Sequence, residues 1–288
     1  MWDAPSVQWL AGDRLHLQHG PIDVVMRAWG ASSAVKHAYE AAIARFGAIL
    51  PELAGELAEL RKPMAERPQV ETPVAKRMVA ACRPHAALFL TPMAAVAGAV
   101  ADELMETLTE AAPLDRAFVN DGGDIAIHLT EGETMEVALA ADFSRGAIPA
   151  LNGRITLSDK DGIGGIATSG AQGRSFSLGI ADSVTVLARD AATADAAATL
   201  IANAVDLDHP AIARRPAHDL DPDSDLGTLL VTTGVGPLTT EDIATALAAG
   251  RARAEQFRLR GLIRDAALVL KGETVTLGHS RMLREQTT

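Results

Sequence analysis

A carboxylate and a hydroxyl stand at metal-binding spacing near residue 195. Asp195 and Thr199 lie four residues apart in an alanine-rich stretch, so in a helix both side chains share one face, one turn apart. Their oxygens are donors that Mg²⁺ prefers, usually with further oxygens from phosphate and water. The same residue types on an exposed helix face are more often simply solvated, so the pair alone leaves both interpretations open.

The elements that must position this pair are a strand and the helix after it. Ser183 to Ala188 alternates polar and apolar residues, which predicts a half-buried strand. Asp190 is the expected N-cap of the alanine-rich helix. Upstream, the glycine-rich run from Gly164 to Gly170 ends in Thr-Ser-Gly. We therefore expect the chemistry of this chain to be organised around residues 164–199.

The composition limits the class of protein. The chain has 288 residues, 48% of them hydrophobic and 22% charged, which is enough for one large domain or two ordinary ones. A net charge of -11 without a dense basic block argues against nucleic acid as a partner. The N-terminal 20 residues lack the features of an export signal, which predicts a cytoplasmic protein. Residues 84–101 contain two prolines and many alanines, so we expect no membrane span.

Other kinds of chemistry find little support. Cys82 is the single cysteine, so an internal disulfide is excluded, and a buried apolar role is expected. The histidines show no metal-ligand spacing, although His85 and His128 stay candidates for ligand contact beside a structural role. Alternating aspartates at 219–225 resemble a calcium loop, but Ser224 and Leu230 occupy the positions that require glycine and glutamate. Gly-x-Ser-x-Gly is absent, so a serine hydrolase is not indicated.

Local patterns predict a mixture of helices and hairpins. The expected helices are Val35 to Leu60 with a break at Pro51 and a cap at Ser32 or Ser33, Val74 to Arg83, Thr91 to Ala111, one after Asp190, and one starting at Thr239 or Thr240. The expected strands and hairpins are two strands in 16–30, a hairpin at 116–129, strands at 133–142, 154–158 and 229–232, and a closing hairpin at 266–277. The acidic, proline-rich stretch 206–227 is interpreted as a connector.

Four stretches, in order, resemble motifs of the ApbE superfamily, whose best-known members are FAD:protein FMN transferases. The Lys-Gly-aromatic-Ala-Val-Asp motif is similar to Ala97-Gly98-Ala99-Val100-Ala101-Asp102, and the Asn-x-Gly-Gly-Asn/Asp turn is similar to Asn120-Asp121-Gly122-Gly123-Asp124. Ala167 to Gly170 matches an Ala-Thr-Ser-Gly strand end, and Thr193 to Thr199 contains the Thr-Ala-Asp-Ala segment. The motifs spread over roughly residues 92–199.

The resemblance implies an α+β fold in which antiparallel sheets pack with helices. It implies a single domain over residues 1–288, built from two similar halves like a T-fold duplication. The motif-bearing centre would span residues 92–205, followed by the connector at 206–227.

The resemblance also implies a site that binds FAD and Mg²⁺. The magnesium ligands would be Asp195, Thr199 and the backbone carbonyl of Val100, while Asp102 would contact the flavin or act as a catalytic base. Gly164 would join the glycines whose backbone N–H groups approach the dinucleotide. The cofactor-binding residues would be Gly98, Asn120, Gly122, Gly123, Asp124, Gly165, Thr168, Ser169 and Gly170. A threonine of an acceptor protein would attack the FAD pyrophosphate and release AMP, or water would cleave it.

Three departures from the motifs keep other functions open. Ala97 and Ala99 replace the family's lysine and aromatic residue, and the stretch 172–182 lacks its His-Ile-Ile-Asp-Pro segment. A non-catalytic protein that binds a flavin or nucleotide-like metabolite is therefore the alternative, and an enzyme of another cofactor pathway is a third. The alanine-rich helices suit packing within one chain or across a homodimer.

Overall fold

The computed structural model describes residues 4–142, 150–171, 173 and 175–278. Helices and antiparallel sheets are mixed along this part of the chain, as the α+β class requires. The helices are α1 (Ser32–Gly55), α2 (Leu57–Leu60), α3 (Pro73–Cys82), α4 (Val96–Ala111), α5 (Ala191–Ala204), α6 (Ala217–Leu220) and α7 (Thr240–Leu259). The strands are β1 (Ser6–Leu10), β2 (Arg14–His19), β3 (Ile22–Trp29), β4 (Arg116–Asp121), β5 (Asp124–Leu129), β6 (Thr134–Asp142), β7 (Ala150–Ser158), β8 (Gly165–Ser169), β9 (Ser183–Ala188), β10 (Ile212–Pro216), β11 (Leu230–Val235), β12 (Asp265–Leu270) and β13 (Glu273–Leu277). None of the helices described has the length and apolar character needed to cross a membrane.

The chain divides into two compact units that alternate along the sequence. Unit 1 consists of Met1–Met135, Ser158–Ala167 and Ala188–Ala196, and unit 2 consists of Glu136–Leu157, Thr168–Leu187 and Ala197–Thr288. Each unit therefore depends on segments that are distant in sequence.

In unit 1, an antiparallel sheet carries the first strands in the order β1-β2-β3-β4-β5, and β8 pairs with β5. Burial alternates along β3, where Ile22, Val24, Met26 and Ala28 are buried and the residues between them are half-buried. The buried face packs against helices: α1 contacts β2 and β3, α4 contacts β4 and β5, and the two helices contact each other. The predicted hairpins in this part of the chain are confirmed.

Helix α1 corrects two expectations. Pro51 lies inside the helix instead of breaking it, and the helix continues to Gly55. Proline removes one backbone hydrogen bond, but Ile49, Leu50 and Leu53 are buried around it and hold the last turn in place. The N-cap is Ala31 without a side-chain hydrogen bond, so the expected serine cap is also wrong.

An ion-pair network connects three helices of unit 1. Glu103, on α4, has a side chain only 8% exposed. Its Oε1 accepts from Arg45 Nε at 2.7 Å and its Oε2 accepts from Arg77 Nε at 3.0 Å. Arg45 also forms a two-bond pair with Glu52, and Arg77 pairs with Glu106. A buried carboxylate shared by two guanidinium groups joins α1, α3 and α4.

Unit 2 contains the antiparallel strands β9, β12 and β13, with α7 packed on β12 and β13. Its other strand pairs are β10 with β11 and β6 with β7. Residues 206–227, which the sequence predicts to be a connector, contain β10 and α6. Arg214 on β10 donates to the carbonyl of Leu178 at 2.5 Å and pairs with Asp206, which holds this stretch in the unit.

Strand β9 is buried along its whole length, so the prediction of a half-buried strand is wrong. The polar side chains that suggested an exposed face are satisfied inside the protein instead. Thr185 Oγ1 lies 2.9 Å from Thr168 Oγ1 on β8, at hydrogen-bond distance. A hydroxyl paired in this way can be buried without the cost of an unmade hydrogen bond.

Candidate functional site

The N-terminus of α5 is the centre of the candidate site. Asp190 Oδ1 accepts a hydrogen bond from Thr193 N at 2.7 Å, which confirms Asp190 as the cap. Most of the helix is buried, and Asp195 and Thr199 are each half-buried. The solvated, exposed face that the sequence left open is therefore not what this helix presents.

Asp102 on α4 holds the first turn of α5. Its Oδ1 accepts from Ala191 N at 2.9 Å, and its Oδ2 accepts from Ala192 N at 2.8 Å. These N–H groups have no partner within their own helix, so a carboxylate from another helix satisfies them. Both oxygens of Asp102 are engaged, which gives it a positioning role here, while the catalytic role implied by the resemblance stays a prediction.

The pKa of Asp102 is raised to about 7, chiefly by burial, and the nearby charge of Asp190 acts in the same direction. The two backbone N–H groups and Arg77 act in the opposite direction, because they favour the charged carboxylate. The desolvation effect is the larger one.

Three glycines allow the start of α5 to pack closely against α4 and β8. A Cβ atom at Gly98 would lie 2.4 Å from the carbonyl oxygen of Ala191, and one at Gly165 would lie 2.1 Å from the carbonyl carbon of Asp190. At Gly164 the same atom would lie 2.3 Å from the carbonyl oxygen of Arg189. Close packing against residues 189–191 thus accounts for these glycines, while their proposed contact with a dinucleotide stays a prediction.

Asp195 faces other carboxylates. Its Oδ2 accepts from Gly98 N at 3.1 Å. Its pKa lies well above the ordinary value, because of burial first and then the charge of Asp124, with which it also shares a hydrogen bond. Asp121 adds to this effect, and the Gly98 N–H opposes it. Two carboxyl groups this close share a proton or need a cation between them.

The oxygen donors at this point suit Mg²⁺. The described residues include no group of three or more His, Cys, Asp or Glu side chains arranged to hold a metal. A cation beside Asp124 and Asp195 would therefore complete its shell with water or phosphate, as Mg²⁺ commonly does. Val100 is less suited, because it lies in α4, where its carbonyl is expected to accept from the N–H four residues ahead.

The turn between β4 and β5 carries Asp124 to this place. Gly122 and Gly123 have φ angles of 62° and 119°, conformations that favour glycine. Gly123 N donates to Asn120 Oδ1 at 2.9 Å, and no heavy atom lies within 4 Å of a Cβ built at either glycine. The turn is open. The motif predicts a cofactor-binding role for Asp124, and its contact with Asp195 is visible only in the structure.

The predicted site residues are divided between the two units. Unit 1 holds Gly98, Val100, Asp102, Asn120, Gly122, Gly123, Asp124, Gly165 and Asp195, while unit 2 holds Thr168, Ser169, Gly170 and Thr199. Gly98, Asp102, Asp124, Gly165 and Asp195 make contacts around the first turns of α5. Of the segment that differs from the family motif, Gln172 and Arg174 lie outside the described residues.

Cys82, His85 and His128 are the other residues that the sequence singled out. Cys82 is buried, and burial raises the pKa of its thiol, as expected for an unreactive cysteine. His85 is buried, which suits a structural role. His128 lines an open cavity of about 280 Å³ together with Arg189 and Asp159.

The fold and the site define an α+β protein in which a carboxylate pair lies beside the first turns of a buried helix. The family model described as "AbpE bacteria" matches residues 7–276. The chain therefore belongs to this bacterial ApbE-like family, which confirms the resemblance seen in its motifs.

Among curated relatives, the UPF0280 protein of Methanothrix thermoacetophila is 38% identical over 160 residues, covering 55% of this chain and 62% of that protein. The UPF0280 protein of Methanopyrus kandleri is 36% identical, covering 48% of this chain and 51% of that protein. The chain thus spans about half to three-fifths of the length of these relatives. A crystal structure of the ApbE protein from Thermotoga maritima is 12% identical, with 96% of each chain covered and a TM-score of 0.45.

We expect the unfolding free energy of the metal-free protein to fall as the pH rises from about 4 to about 7. The pKa of Asp102 is about 7 in the folded protein against an ordinary value of 3.8, so the folded state binds the proton more tightly. Stability is then fully present below the ordinary pKa and is lost as the pH rises through the folded one. Asp195 shifts in the same direction.

Chemical denaturation at a series of pH values measures this slope. The Asp102→Asn variant is expected to have a smaller slope than the wild type, whatever its overall stability. Equal slopes in the two proteins would show that Asp102 does not titrate in this range.

Proposed function

We propose that this chain binds FAD or a closely related flavin nucleotide together with Mg²⁺, and that it transfers FMN or cleaves the pyrophosphate. The observation that supports the proposal is the contact between Asp124 and Asp195, where burial and then the repulsion between the two carboxylates raise the pKa of Asp195. A divalent cation relieves that repulsion. The oxygens of a pyrophosphate can occupy the coordination positions of the cation that the two side chains leave empty. Membership of the ApbE-like family makes a flavin dinucleotide the first ligand to test.

The residues of the chain have distinct parts in this proposal. Asp195 and Asp124 hold the cation, and the Gly98 N–H fixes one oxygen of Asp195. Asp102 keeps the first turn of α5 in place, and with it the position of Asp195. Bound Mg²⁺ would neutralise charge on the pyrophosphate. An acceptor protein with a threonine hydroxyl, or water, would take the transferred group.

A second candidate is a protein that binds the flavin nucleotide without chemistry. Both oxygens of Asp102 accept N–H groups of α5, so this carboxylate has no oxygen reserved for a substrate proton. Ala97, where the family has a lysine, is a half-buried methyl group and offers no cation to the phosphates. These two observations are what supports the second candidate.

Calorimetric titration of the purified protein with FAD, with and without Mg²⁺, distinguishes these functions. Magnesium-dependent binding followed by release of AMP, with threonine-containing peptides or water as acceptor, is the result expected for the enzyme. Binding without AMP supports the second candidate. If FAD fails to bind under either condition, both forms of the proposal are wrong.

A further inference from the structure

Strand β1 is an edge of the sheet in unit 1. It pairs with β2 on one side, from Ser6 opposite Gln18 to Leu10 opposite Arg14, and no described strand pairs with its other side. An edge strand presents a row of backbone N–H and C=O groups that can pair with another chain.

The edge lacks the usual protection against such pairing. Natural edge strands carry charges, prolines or bulges that block a second strand. The sequence of β1, Ser-Val-Gln-Trp-Leu, has no charge and no proline, and its register with β2 is continuous. In a chain with a net charge of -11, an uncharged strand is a place where two acidic molecules can approach each other.

The exposed apolar side chains of β1, Val7 and Trp9, lie on the core face of the sheet. Val7 is opposite Leu17 and Trp9 is opposite Leu15. Residues directly opposite each other in an antiparallel pair point to the same face, and both leucines are fully buried. Val7 is nevertheless 43% exposed and Trp9 is 62% exposed. The apolar layer of unit 1 therefore continues to the edge and is left uncovered there.

Trp9 is held in position although it is exposed. Its ring meets the ring of Tyr39 edge to face, with centroids 5.3 Å apart. Tyr39 is 4% exposed, accepts a hydrogen bond from Ala28 N at 2.9 Å and donates one to the carbonyl of Asp13 at 3.2 Å. An exposed tryptophan that packs on an anchored tyrosine is the kind of residue that contributes most of the binding energy in protein interfaces.

We propose that β1 pairs antiparallel with β1 of a second copy of this chain, which joins two sheets across a twofold axis. A pairing centred on Gln8 uses all five residues of the strand. It sets Val7 opposite the second copy's Trp9, and Trp9 opposite the second copy's Val7, so four apolar side chains meet on one face. The strand is self-complementary in backbone hydrogen bonds, in side-chain size and in the absence of charge, as an isologous interface requires.

Sedimentation analysis of the full chain over a range of concentrations tests the interface. The wild type is expected to form a dimer, and Trp9→Lys is expected to raise its dissociation constant at least about 30-fold, as for the loss of a strong interface residue. Leu259→Lys is the control, because Leu259 is 74% exposed but lies on α7. A wild type that stays monomeric overturns the proposal, as does a dimer that Trp9→Lys leaves unchanged.

Cross-linking tests the register. Cys82 is the one natural cysteine and is buried, so Gln8→Cys introduces a single accessible thiol. In the proposed pairing the two thiols are directly opposite, and mild oxidation should link the copies. Gln18→Cys, on the inner neighbour β2, should give little covalent dimer. Equal cross-linking of the two variants would show that β1 is not at the interface.

Discussion

The Asp195→Asn variant is expected to lose divalent-cation binding while its fold remains intact. The amide keeps the shape of the side chain and an oxygen that can accept from Gly98 N, but it removes the charge that a cation requires. Substitution of residues that only support a ligand weakens metal binding about 10–100-fold, so loss of a direct ligand should weaken it at least about 100-fold. Calorimetric titration with Mg²⁺ and Mn²⁺ measures the change.

The thermal stability of the same variant separates a metal site from a structural contact. Without a metal, Asp195→Asn removes the repulsion with Asp124, so its melting temperature should be equal to or higher than that of the wild type. Asp124→Asn should behave in the same way. The control is Asp13→Asn, because Asp13 is 93% exposed and has a φ of 55° that asparagine tolerates. Wild-type affinity in both site variants would place the cation elsewhere.

The second large effect is a loss of stability that we expect when Glu103 is substituted. Replacing it with Gln removes the carboxylate that Arg45 and Arg77 share and leaves them Glu52 and Glu106 as partners. Loss of one partner of a buried ion pair costs about 3–5 kcal/mol, and the remaining partners put the expected loss at the lower end of that range. Glu106→Gln is the matched control, because Glu106 lies on the same helix and pairs with Arg77, but its side chain is 52% exposed. Exposed pairs contribute less than about 1 kcal/mol. Denaturant titration compares the two, and equal losses would show that burial of Glu103 is not what matters.

Local sequence signals predicted much of the fold because they act over a few residues. The Asp-Gly-Gly turn between β4 and β5 has the glycines that positive φ angles favour, and Asp190 caps the helix that it precedes. The signals failed where a distant contact decides the outcome. β9 alternates in polarity but is buried on both faces, because Thr185 finds a hydroxyl on another strand.

In the candidate site, too, local patterns identified residues but did not predict the contacts between distant ones. Asp195 was identified from its spacing, and Gly98, Asp102 and Asp124 from motifs. What no pattern stated is that Asp102 would satisfy the N–H groups of α5, 89 and 90 positions further along, or that Asp124 would contact Asp195. Such pairings depend on how the sheet and helices pack, which is a property of the whole unit and not of a window of residues.

The interleaving of the two units has a consequence for synthesis of the protein. Unit 1 begins at the N-terminus but takes its last segment from Ala188–Ala196, which contains the first turn of α5 and Asp195. On the ribosome, the first 135 residues therefore emerge long before the piece that completes them. We expect a nascent chain released before residue 196 to remain incompletely folded, with Asp102 facing no helix to cap.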